Sequence, residues 1–219
     1  MRRPWNAPGR AAKRAIDFAF CLVGLTLLAL PFLLIALIVR LDSRGPALFR
    51  QERIGRDGKP FRVFKFRTMV MNAVEQGRGY GVVEQDPRIT RFGRILREWG
   101  IDELPQLLNV LRGEMSLVGP RPALRYQVEQ YTPAQRRRLD VKPGITGWAL
   151  VNGRRTLAWD ERIALDAWYV DHQSLLLDLR ILLRTVKVVL VTREGLYSDE
   201  KTGAFGTGWP EDGKGEGEA

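Results

Sequence analysis

The segment from Phe18 to Val39 constrains this chain most, because its 22 residues include no charged side chain. As one α-helix the run would be roughly 33 Å long, which is enough to span the hydrocarbon core of a bilayer. A secretory signal peptide is the alternative, since cations precede the run. We reject it because the run is long for such a segment and continues into Arg40-Leu41-Asp42 without a small-residue cleavage site.

Both flanks of the apolar run are basic. The cations before it are Arg2, Arg3, Arg10, Lys13 and Arg14, and those after it are Arg40, Arg44, Arg50 and Arg53. The positive-inside rule would keep both flanks in the cytoplasm, which a straight span cannot satisfy. Pro31 lies near the centre of the run, where it would interrupt the helical hydrogen bonds. We therefore predict a re-entrant helix-break-helix over residues 12–41, with a single-pass anchor kinked at Pro31 as the alternative.

The composition favours one globular domain, or one domain with an appendage. The 219 residues carry 35 Lys and Arg against 25 Asp and Glu, a net charge of +10, and 45% are hydrophobic, so a core can be buried. Cys21 and His172 are the only residues of their types, which excludes an internal disulfide, a thiolate zinc site and a multi-histidine metal site. The chemistry must therefore use carboxylates, hydroxyls, Arg and Lys.

The chain divides into three predicted parts. Residues 1–42 form a basic segment and the re-entrant membrane helix, residues 43–200 a cytoplasmic catalytic domain at the membrane interface, and residues 201–219 a flexible Gly-rich tail. A β-hairpin opens the domain, with arms 47–54 and 61–67 around the turn dipeptide Asp57-Gly58. Alternation along the second arm places Lys65 and Arg67 side by side on one face, and we count both as candidate substrate-binding residues.

Two later segments are amphipathic at helical spacing. Residues 88–99 carry Arg88, Arg91, Arg94 and Arg97 off an apolar stripe, and residues 175–191 repeat Arg180, Arg184 and Lys187 on one face. Such helices can lie in the headgroup layer of a membrane, or they can cover an ordinary core with a solvated face. The predicted fold class is α+β, a predominantly helical monotopic membrane protein with interfacial amphipathic helices and a small β-hairpin.

The candidate catalytic residues are Asp102 and Glu103. Leucines at i, i+3, i+4 and i+7 after them predict a helix that begins near Asp102, with Pro105 in its first turn. Free N–H groups at a helix start keep a carboxylate ionised, so one acid could be a nucleophile while the other binds a divalent metal with phosphate oxygens. Simple helix capping by the two acids is the alternative.

Three later loops present cations on stiff turns. Arg121 lies between two prolines in Gly119-Pro120-Arg121-Pro122, a second rigid loop covers residues 142–148, and Arg154 follows the turn at residues 152–153. A preorganised guanidinium suits a phosphate contact. Together the loops indicate an anionic ligand with several phosphates, although each alone is also ordinary turn chemistry.

Six motifs in one order carry a resemblance to a known family. They are FRQERIGRDGKPFRVFKFRTM (49–69), DPRITRFGRILRE (86–98), DELPQLLNVLRGEMSLVGPRP (102–122), KPGITGW (142–148), NGR (152–154) and LDAWYV (165–170). The chain closely resembles the bacterial sugar transferases, the monotopic polyprenol-phosphate phosphoglycosyl transferases. The resemblance covers roughly residues 12–192 and is to the small members of the family.

The resemblance implies a reaction and roles for individual residues. The reaction is transfer of a sugar 1-phosphate from a UDP-sugar to undecaprenyl phosphate, giving undecaprenyl-diphosphate-sugar and UMP, as the first membrane step of surface polysaccharide or glycoconjugate synthesis. Asp102 matches the family's nucleophile, which forms a covalent phosphosugar intermediate, and Glu103 matches the residue that helps hold Mg²⁺. The family's other functional residues match Lys65, Arg121, Arg154 and Asp166.

The same resemblance implies the partners and the location. These are a UDP-sugar donor, the undecaprenyl phosphate acceptor and the lipids of the bacterial inner membrane, with the catalytic domain facing the cytoplasm. The sequence leaves a homodimer open.

Two other functional classes explain the sequence less well than a sugar transferase does. A basic nucleic-acid-binding protein leaves the apolar run without a purpose and lacks a recognised motif, so we expect no nucleic acid partner. A non-catalytic membrane scaffold would need neither Asp102 nor Arg121.

Overall fold

The computed structural model describes residues 7–76, 86–153 and 157–192. It is predominantly helical, as predicted, with one long N-terminal helix and short helices around two small sheets. The helices are α1 (Ala7–Asp42), α2 (Arg91–Glu98), α3 (Leu107–Arg112), α4 (Arg125–Glu129), α5 (Pro133–Arg136), α6 (Trp148–Asn152), α7 (Trp159–His172) and α8 (Leu175–Thr192). The strands are β1 (Leu48–Ile54), β2 (Pro60–Phe66), β3 (Ser116–Val118) and β4 (Gly144–Thr146), and short 3₁₀ helices cover Arg56–Gly58, Ile101–Gln106 and Arg137–Asp140. The predicted tail at residues 201–219 lies outside the described residues.

Helix α1 contains the whole apolar run and exposes most of it. Its apolar residues with exposed side chains include Phe20, Leu27, Leu30, Leu33 and Leu41. Among the described residues it is the one helix long and apolar enough to cross a membrane. The backbone continues as one helical element through Pro31, where the sequence predicts a break. A proline in a helix interior removes one backbone hydrogen bond and can kink a helix without ending it, so the re-entrant arrangement stays a prediction.

The N-terminal part of α1 is fastened to the globular domain by charged groups. The ammonium of Lys13 is paired with the carboxylate of Asp178 on α8. One turn further, Asp17 accepts a hydrogen bond from the backbone N–H of Leu117 on β3 at 3.2 Å. These contacts hold the start of α1 against α8 and β3.

The C-terminal end of α1 is fastened to the first sheet. The buried guanidinium of Arg67, just after β2, donates to the carbonyls of Val39 at 3.1 Å and Ser43 at 2.7 Å. Asp42 accepts from the backbone N–H of Phe92 at the start of α2 at 3.1 Å. Both ends of α1 therefore contact the same domain.

The hairpin forms where it was predicted. Strands β1 and β2 are antiparallel, with Leu48 opposite Phe66 and Ile54 opposite Pro60. The turn places Asp57 at φ 58° and Gly58 at φ 74°, the left-handed region that Asp and Gly adopt most readily. From Val63 to the end of β2 every side chain is buried, because both faces of that strand are covered by other elements.

Helix α2 starts later than predicted. It runs from Arg91 to Glu98, and the hydroxyl of Thr90 caps it by accepting from the N–H of Gly93 at 3.0 Å. Arg88 is therefore not on the exposed face of the helix. It is buried, paired with Asp86 at 2.7 Å, because the chain before the cap folds inward.

Helix α8 matches its predicted range closely and has two apolar faces. Ile181 is fully buried with Val118 and Tyr169. A second set of apolar side chains is exposed at spacings of three and four residues: Leu176, Leu179, Leu183 and Val186. Such a stripe beside cations is typical of a helix that lies in a headgroup layer.

The second sheet brings two sequence-distant loops together. Strands β3 and β4 pair in parallel, with Ser116 opposite Gly144, and Gly144 donates its N–H to the carbonyl of Pro120 at 2.9 Å. A Cβ on Gly144 would lie 2.1 Å from the backbone nitrogen of Gly119. Only glycine permits this approach, which fixes the loop that carries Arg121 against β4.

Candidate active site

The main cavity lies between the first sheet, the 3₁₀ helix Ile101–Gln106 and the loop that carries Arg121. Its volume is about 420 Å³, within the usual range for a small-molecule site. Its described basic lining residues are Arg53, Lys65, Arg67, Arg97, Arg121, Arg138 and Arg162, and its acidic ones are Glu75, Asp102 and Asp166. The excess of cations suits an anionic ligand with several phosphate charges.

Asp102 and Glu103 lie on the 3₁₀ helix that precedes α3. The sequence predicts a helix start near Asp102, and this is confirmed, although the first turns are 3₁₀ and the α-helix begins at Leu107. Gly100 enters the turn at φ 66°, which favours glycine. Both carboxylates are 1% exposed. Neither carboxylate caps this helix or α3, because the N-cap residues are Gly100 and Gln106 and neither helix start has a side-chain cap bond.

Glu103 is held by two cations. Lys65 donates from Nζ to Glu103 Oε1 at 2.9 Å, and Arg121 donates from Nη2 to the same oxygen at 2.8 Å. Burial alone would raise the pKa of Glu103, but the charges of Arg121 and Lys65 outweigh it and lower the pKa to about 2. Glu103 is therefore ionised, and it fixes the position of both cations.

Asp102 has the opposite environment. Its Oδ1 atom is buried and has no hydrogen-bond partner. Burial, and then the charge of Glu103, raise the pKa of Asp102 to about 7, against the lowering effect of Lys65, Arg97 and Arg121. Asp102 also lines the cavity. Asp102 therefore borders the cationic cavity with a carboxylate oxygen that no described group binds.

Asn109 on α3 fixes the distance between the hairpin and the two acids. Its side chain accepts from the N–H of Phe64 at 3.0 Å and donates to the carbonyl of Arg62 at 2.7 Å. Asn109 is fully buried. Because these bonds join β2 to the helix that follows Glu103, Lys65 is held at bonding distance from that carboxylate.

Arg67 lines the same cavity, but its guanidinium contacts the end of α1. Besides Val39 and Ser43 it donates to the carbonyls of Arg44 and Gly45, while its Nε atom has no partner. These bonds fix Arg67 to the end of α1. Because Arg67 also lines the cavity, its role as a substrate ligand stays a prediction.

Asp166 is joined to the Arg121 loop through a residue that the sequence reasoning missed. Arg138 donates from Nη2 to Asp166 Oδ2 at 2.6 Å and to the carbonyl of Arg121 at 2.9 Å, and from Nη1 to the hydroxyl of Tyr131 at 2.5 Å. Arg138 and Asp166 are both buried. Asp166 thus orients Arg138, which holds the backbone of Arg121.

The structure brings most of the predicted site together. Asp102, Glu103, Lys65 and Arg121 form one cluster, and Asp166 reaches it through Arg138. Arg154 lies outside the described residues. Arg138 could not be recognised from the sequence, because it follows Arg136 and Arg137 in a polar stretch that resembles a solvated surface.

The acidic pair fits a magnesium ion shared with a substrate. In the part of the chain that the structure describes, no group of three or more His, Cys, Asp or Glu side chains could hold a metal alone. Mg²⁺ usually takes one or two carboxylates, with water and substrate phosphates completing its shell. The unpartnered Oδ1 of Asp102 and Glu103 Oε2, which accepts from Arg121 at 3.4 Å, are compatible with such a partial site, and the magnesium ion stays a prediction.

Comparison with known proteins identifies the family. The family model for "Bacterial sugar transferase" matches residues 8–192. The chain is 46% identical over 184 residues to "Uncharacterized sugar transferase EpsL" of Bacillus subtilis, covering 84% of this chain and 89% of that protein. The family match covers all described elements of the fold except the first residue of α1.

Two longer relatives have named activities. "Undecaprenyl-phosphate glucose phosphotransferase" of Komagataeibacter xylinus is 42% identical over 208 residues, which covers 88% of this chain and 38% of that protein. "Undecaprenyl-phosphate galactose phosphotransferase" of Salmonella typhimurium is 39% identical over 202 residues, covering 86% of this chain and 42% of that protein. The chain therefore spans about two fifths of the length of these relatives.

Proposed function

This chain belongs to the bacterial sugar transferase family, and we propose that it transfers a sugar 1-phosphate from a UDP-sugar to undecaprenyl phosphate. It is a phosphoglycosyl transferase whose products are undecaprenyl-diphosphate-sugar and UMP. The reaction is the first membrane step of surface polysaccharide or glycoconjugate synthesis. The named relatives support the acceptor, and the cationic cavity supports a diphosphate donor.

The observation that carries this proposal is the contrast between the two adjacent acids. Glu103 is neutralised by Lys65 and Arg121, whereas the Oδ1 atom of Asp102 has no partner. A nucleophile needs a lone pair that no other group occupies. Asp102 meets that condition and Glu103 does not, so the geometry favours Asp102 as the attacking group.

In the proposed first step, an oxygen of ionised Asp102 attacks the phosphorus that bears the sugar. The bond between this phosphorus and the bridging oxygen breaks, UMP leaves with that oxygen, and Asp102 holds the phosphosugar as an acyl phosphate. In the second step a phosphate oxygen of undecaprenyl phosphate attacks the same phosphorus. The bond to Asp102 breaks, and the carboxylate is regenerated.

The cations position and neutralise the transferring phosphoryl group. Lys65 and Arg121 are fixed by Glu103 before substrate binds, so little reorganisation is needed when charge develops. Asp102 and Glu103 would hold Mg²⁺, which supplies further neutralisation of the phosphate oxygens. Arg138 keeps the Arg121 backbone in place.

We also propose that α1 is re-entrant and that the catalytic domain faces the cytoplasm. Two observations support this topology. Lys13 near one end and Val39 near the other both contact the same domain, whereas the ends of a straight span would lie on opposite sides of the hydrocarbon core. Both flanks are also basic, which favours the cytoplasmic side.

UMP release tests the proposed reaction. Detergent-purified protein is incubated with Mg²⁺, undecaprenyl phosphate and a panel of UDP-sugars. We expect lipid-dependent UMP release with one sugar, its loss in Asp102→Asn, and a severe reduction in Glu103→Gln, which releases Lys65 and Arg121 from their shared partner.

The matched control is Asp57→Asn, because Asp57 is exposed on the hairpin turn and asparagine tolerates its positive φ. This variant should keep the activity of the wild type. Folded wild-type protein that releases no UMP with any donor would instead favour the non-catalytic scaffold. Activity in Asp102→Asn equal to that of the wild type would disprove the assignment of the nucleophile.

A further inference from the structure

A second cavity lies beside the N-terminal part of α1 and is separate from the candidate active site. Its volume is about 130 Å³, and it shares none of its described lining residues with the main cavity. Since a buried water needs about 10–15 Å³, the space can hold a group of several heavy atoms. Five cations line it: Arg10, Lys13, Arg14, Arg56 and Lys142.

The acids around this cavity form ion pairs with Lys13 and Arg56. Lys13 is paired with Asp178, and Arg56 with Asp57 at 3.1 Å. Asp17 and Asp140 also line the cavity. Neither forms an ion pair with Arg14 or Lys142 within the described part of the chain.

Arg14 and Lys142 approach the same small space from two elements. A Cβ on Gly113 would lie 3.4 Å from Arg14 Nη2 and 3.6 Å from Lys142 Nζ. Arg14 donates to the carbonyls of Val110 and Leu111, so its orientation is fixed by the end of α3. The ammonium of Lys142 has no hydrogen-bond or ion-pair partner among the described residues.

Ser116 on β3 provides an independent sign of a ligand. It is 1% exposed, it lines this cavity, and its hydroxyl oxygen is buried without a hydrogen-bond partner. Buried hydroxyls are normally satisfied by a partner. An unsatisfied donor beside two cations suits an oxyanion, which could accept from the hydroxyl, the ammonium and the guanidinium together.

Two further observations agree with an anion. Burial, and then the charges of Arg14 and Arg56, lower the pKa of Lys142, against the raising effect of Asp17. The guanidinium of Arg14 also lies 5.8 Å from the ring of Phe18, the first residue of the apolar run. The cavity is therefore one helical turn from the membrane segment, at the depth where lipid phosphates lie if α1 enters the bilayer there.

We propose that this second cavity binds a phosphate group, supplied either by the headgroup of an anionic phospholipid or by a soluble phosphate. The phosphate oxygens accept hydrogen bonds from Lys142, Arg14 and Ser116. Binding would join α1 to the second sheet in a cavity that Asp102 does not line. The site does not depend on the proposed reaction, and its test uses no activity measurement.

The test compares binding by the full-length protein and four variants. Lys142→Met removes the unpartnered cation, Ser116→Ala removes only the hydroxyl, and Lys142→Arg keeps the charge. Lys59→Met is the matched control, since Lys59 is exposed at the hairpin turn and its loss changes the net charge equally. Melting temperatures without ligand show whether each variant is folded.

In the lipid arm, native mass spectrometry follows the binding of phosphatidylglycerol and phosphatidylcholine to protein in detergent. In the soluble arm, the rise in melting temperature with inorganic phosphate is measured for the same proteins, with Arg121→Met added to remove the active-site contribution. A ligand that binds only the folded state raises the melting temperature by an amount that grows with the logarithm of 1 + [L]/Kd, so weaker binding gives a smaller rise at the same concentration.

We expect at least about tenfold weaker binding in Lys142→Met, weaker binding in Ser116→Ala, and binding like that of the wild type in Lys142→Arg and Lys59→Met. A preference for phosphatidylglycerol that depends on Lys142 identifies the lipid headgroup as the source. A phosphate effect that persists in Arg121→Met and is lost in Lys142→Met identifies a soluble phosphate. If neither ligand distinguishes folded Lys142→Met or Ser116→Ala from the wild type, the proposal is wrong.

Discussion

The different roles of Asp102 and Glu103 follow from the neighbours of each carboxylate. The two are adjacent in sequence and equally buried. Glu103 accepts from Lys65 and Arg121, which stabilise its charge, while Asp102 has an unpartnered oxygen and the charge of Glu103 beside it. Ionised Asp102 therefore destabilises the free enzyme. A bound metal ion would reduce this destabilisation by neutralising the charge.

Asp102→Asn should therefore stabilise the folded protein above pH 7. The pKa of Asp102 is about 7 in the folded protein, against a model-peptide value of 3.8. The folded state thus holds this proton more strongly, and stability falls as the pH rises from about 4 to about 7. The full effect is up to about 4 kcal/mol, and each kcal/mol is worth roughly 2–4 °C in a domain of this size.

The check is the melting temperature of both proteins in EDTA at pH 5 and pH 8. We expect Asp102→Asn to melt several degrees higher than the wild type at pH 8, with a smaller difference at pH 5. Equal melting temperatures at pH 8 would show that ionised Asp102 does not destabilise the folded protein.

Arg138 should act as a positioning residue for Arg121. Arg138→Gln removes the donor to the Arg121 carbonyl and leaves Asp166 without its partner. Because a small displacement of a phosphate-binding group can cost about 10²-fold in rate, we expect a fall of that order in kcat with a smaller change in KM. The measurement is steady-state UMP release, with melting temperature to confirm folding.

Arg137→Gln is the matched control, since the neighbouring Arg137 is half exposed and paired with Asp171 at the surface. It should keep nearly all activity. If a folded Arg138→Gln variant has an unchanged kcat, Arg138 is not a positioning residue for Arg121.

Among the elements, α1 has two alternative topologies, a re-entrant helix and a single span, and the accessibility of its flanks distinguishes them. Cysteines introduced at Ala11 and Arg44, both exposed on the flanks, are tested in a Cys21→Ala background, which removes the natural thiol. We expect a membrane-impermeant reagent to label both sites from the cytoplasmic side alone. Labelling of either flank from outside would restore the single-pass anchor.

The contact between β3 and β4 fixes the Arg121 loop, so Gly144→Ala should displace it. The added methyl would lie 2.1 Å from a backbone nitrogen, which cannot be relieved by a side-chain rotation. We expect a loss of stability of roughly 2–4 kcal/mol and a marked loss of activity. Gly24→Ala is the control, because its methyl would meet only Leu107 at 3.8 Å; if the two variants have equal melting temperatures, the close approach is not required.

Elements with a regular local pattern could be predicted from the sequence, and tertiary partners could not. The hairpin and α8 follow from alternation, turn residues and helical spacing, and they lie where expected. Arg138 was missed because only its contacts with Tyr131 and Asp166 distinguish it from Arg137. The contacts of Arg67 with Val39 and Ser43 could not be predicted either, because alternation predicts the face of a strand and not which group the side chain meets.

Taken over the whole molecule, the exposed apolar residues of α1 and α8 fit the proposed contact with a membrane. The cationic cavity fits the proposed charged donor. A covalent intermediate would let a soluble donor and a lipid acceptor use one cavity in succession. This order of events depends on the covalent bond to Asp102.

Intact-protein mass spectrometry tests that bond most directly. Purified protein is mixed with Mg²⁺ and the UDP-sugar that supports UMP release, without undecaprenyl phosphate. We expect a mass increase of one sugar phosphate that maps to Asp102. The same adduct should form in Asp57→Asn, be absent in Asp102→Asn, and disappear when undecaprenyl phosphate is added. An adduct on another residue, or lipid-dependent turnover with no adduct under any condition, would refute the covalent intermediate on Asp102.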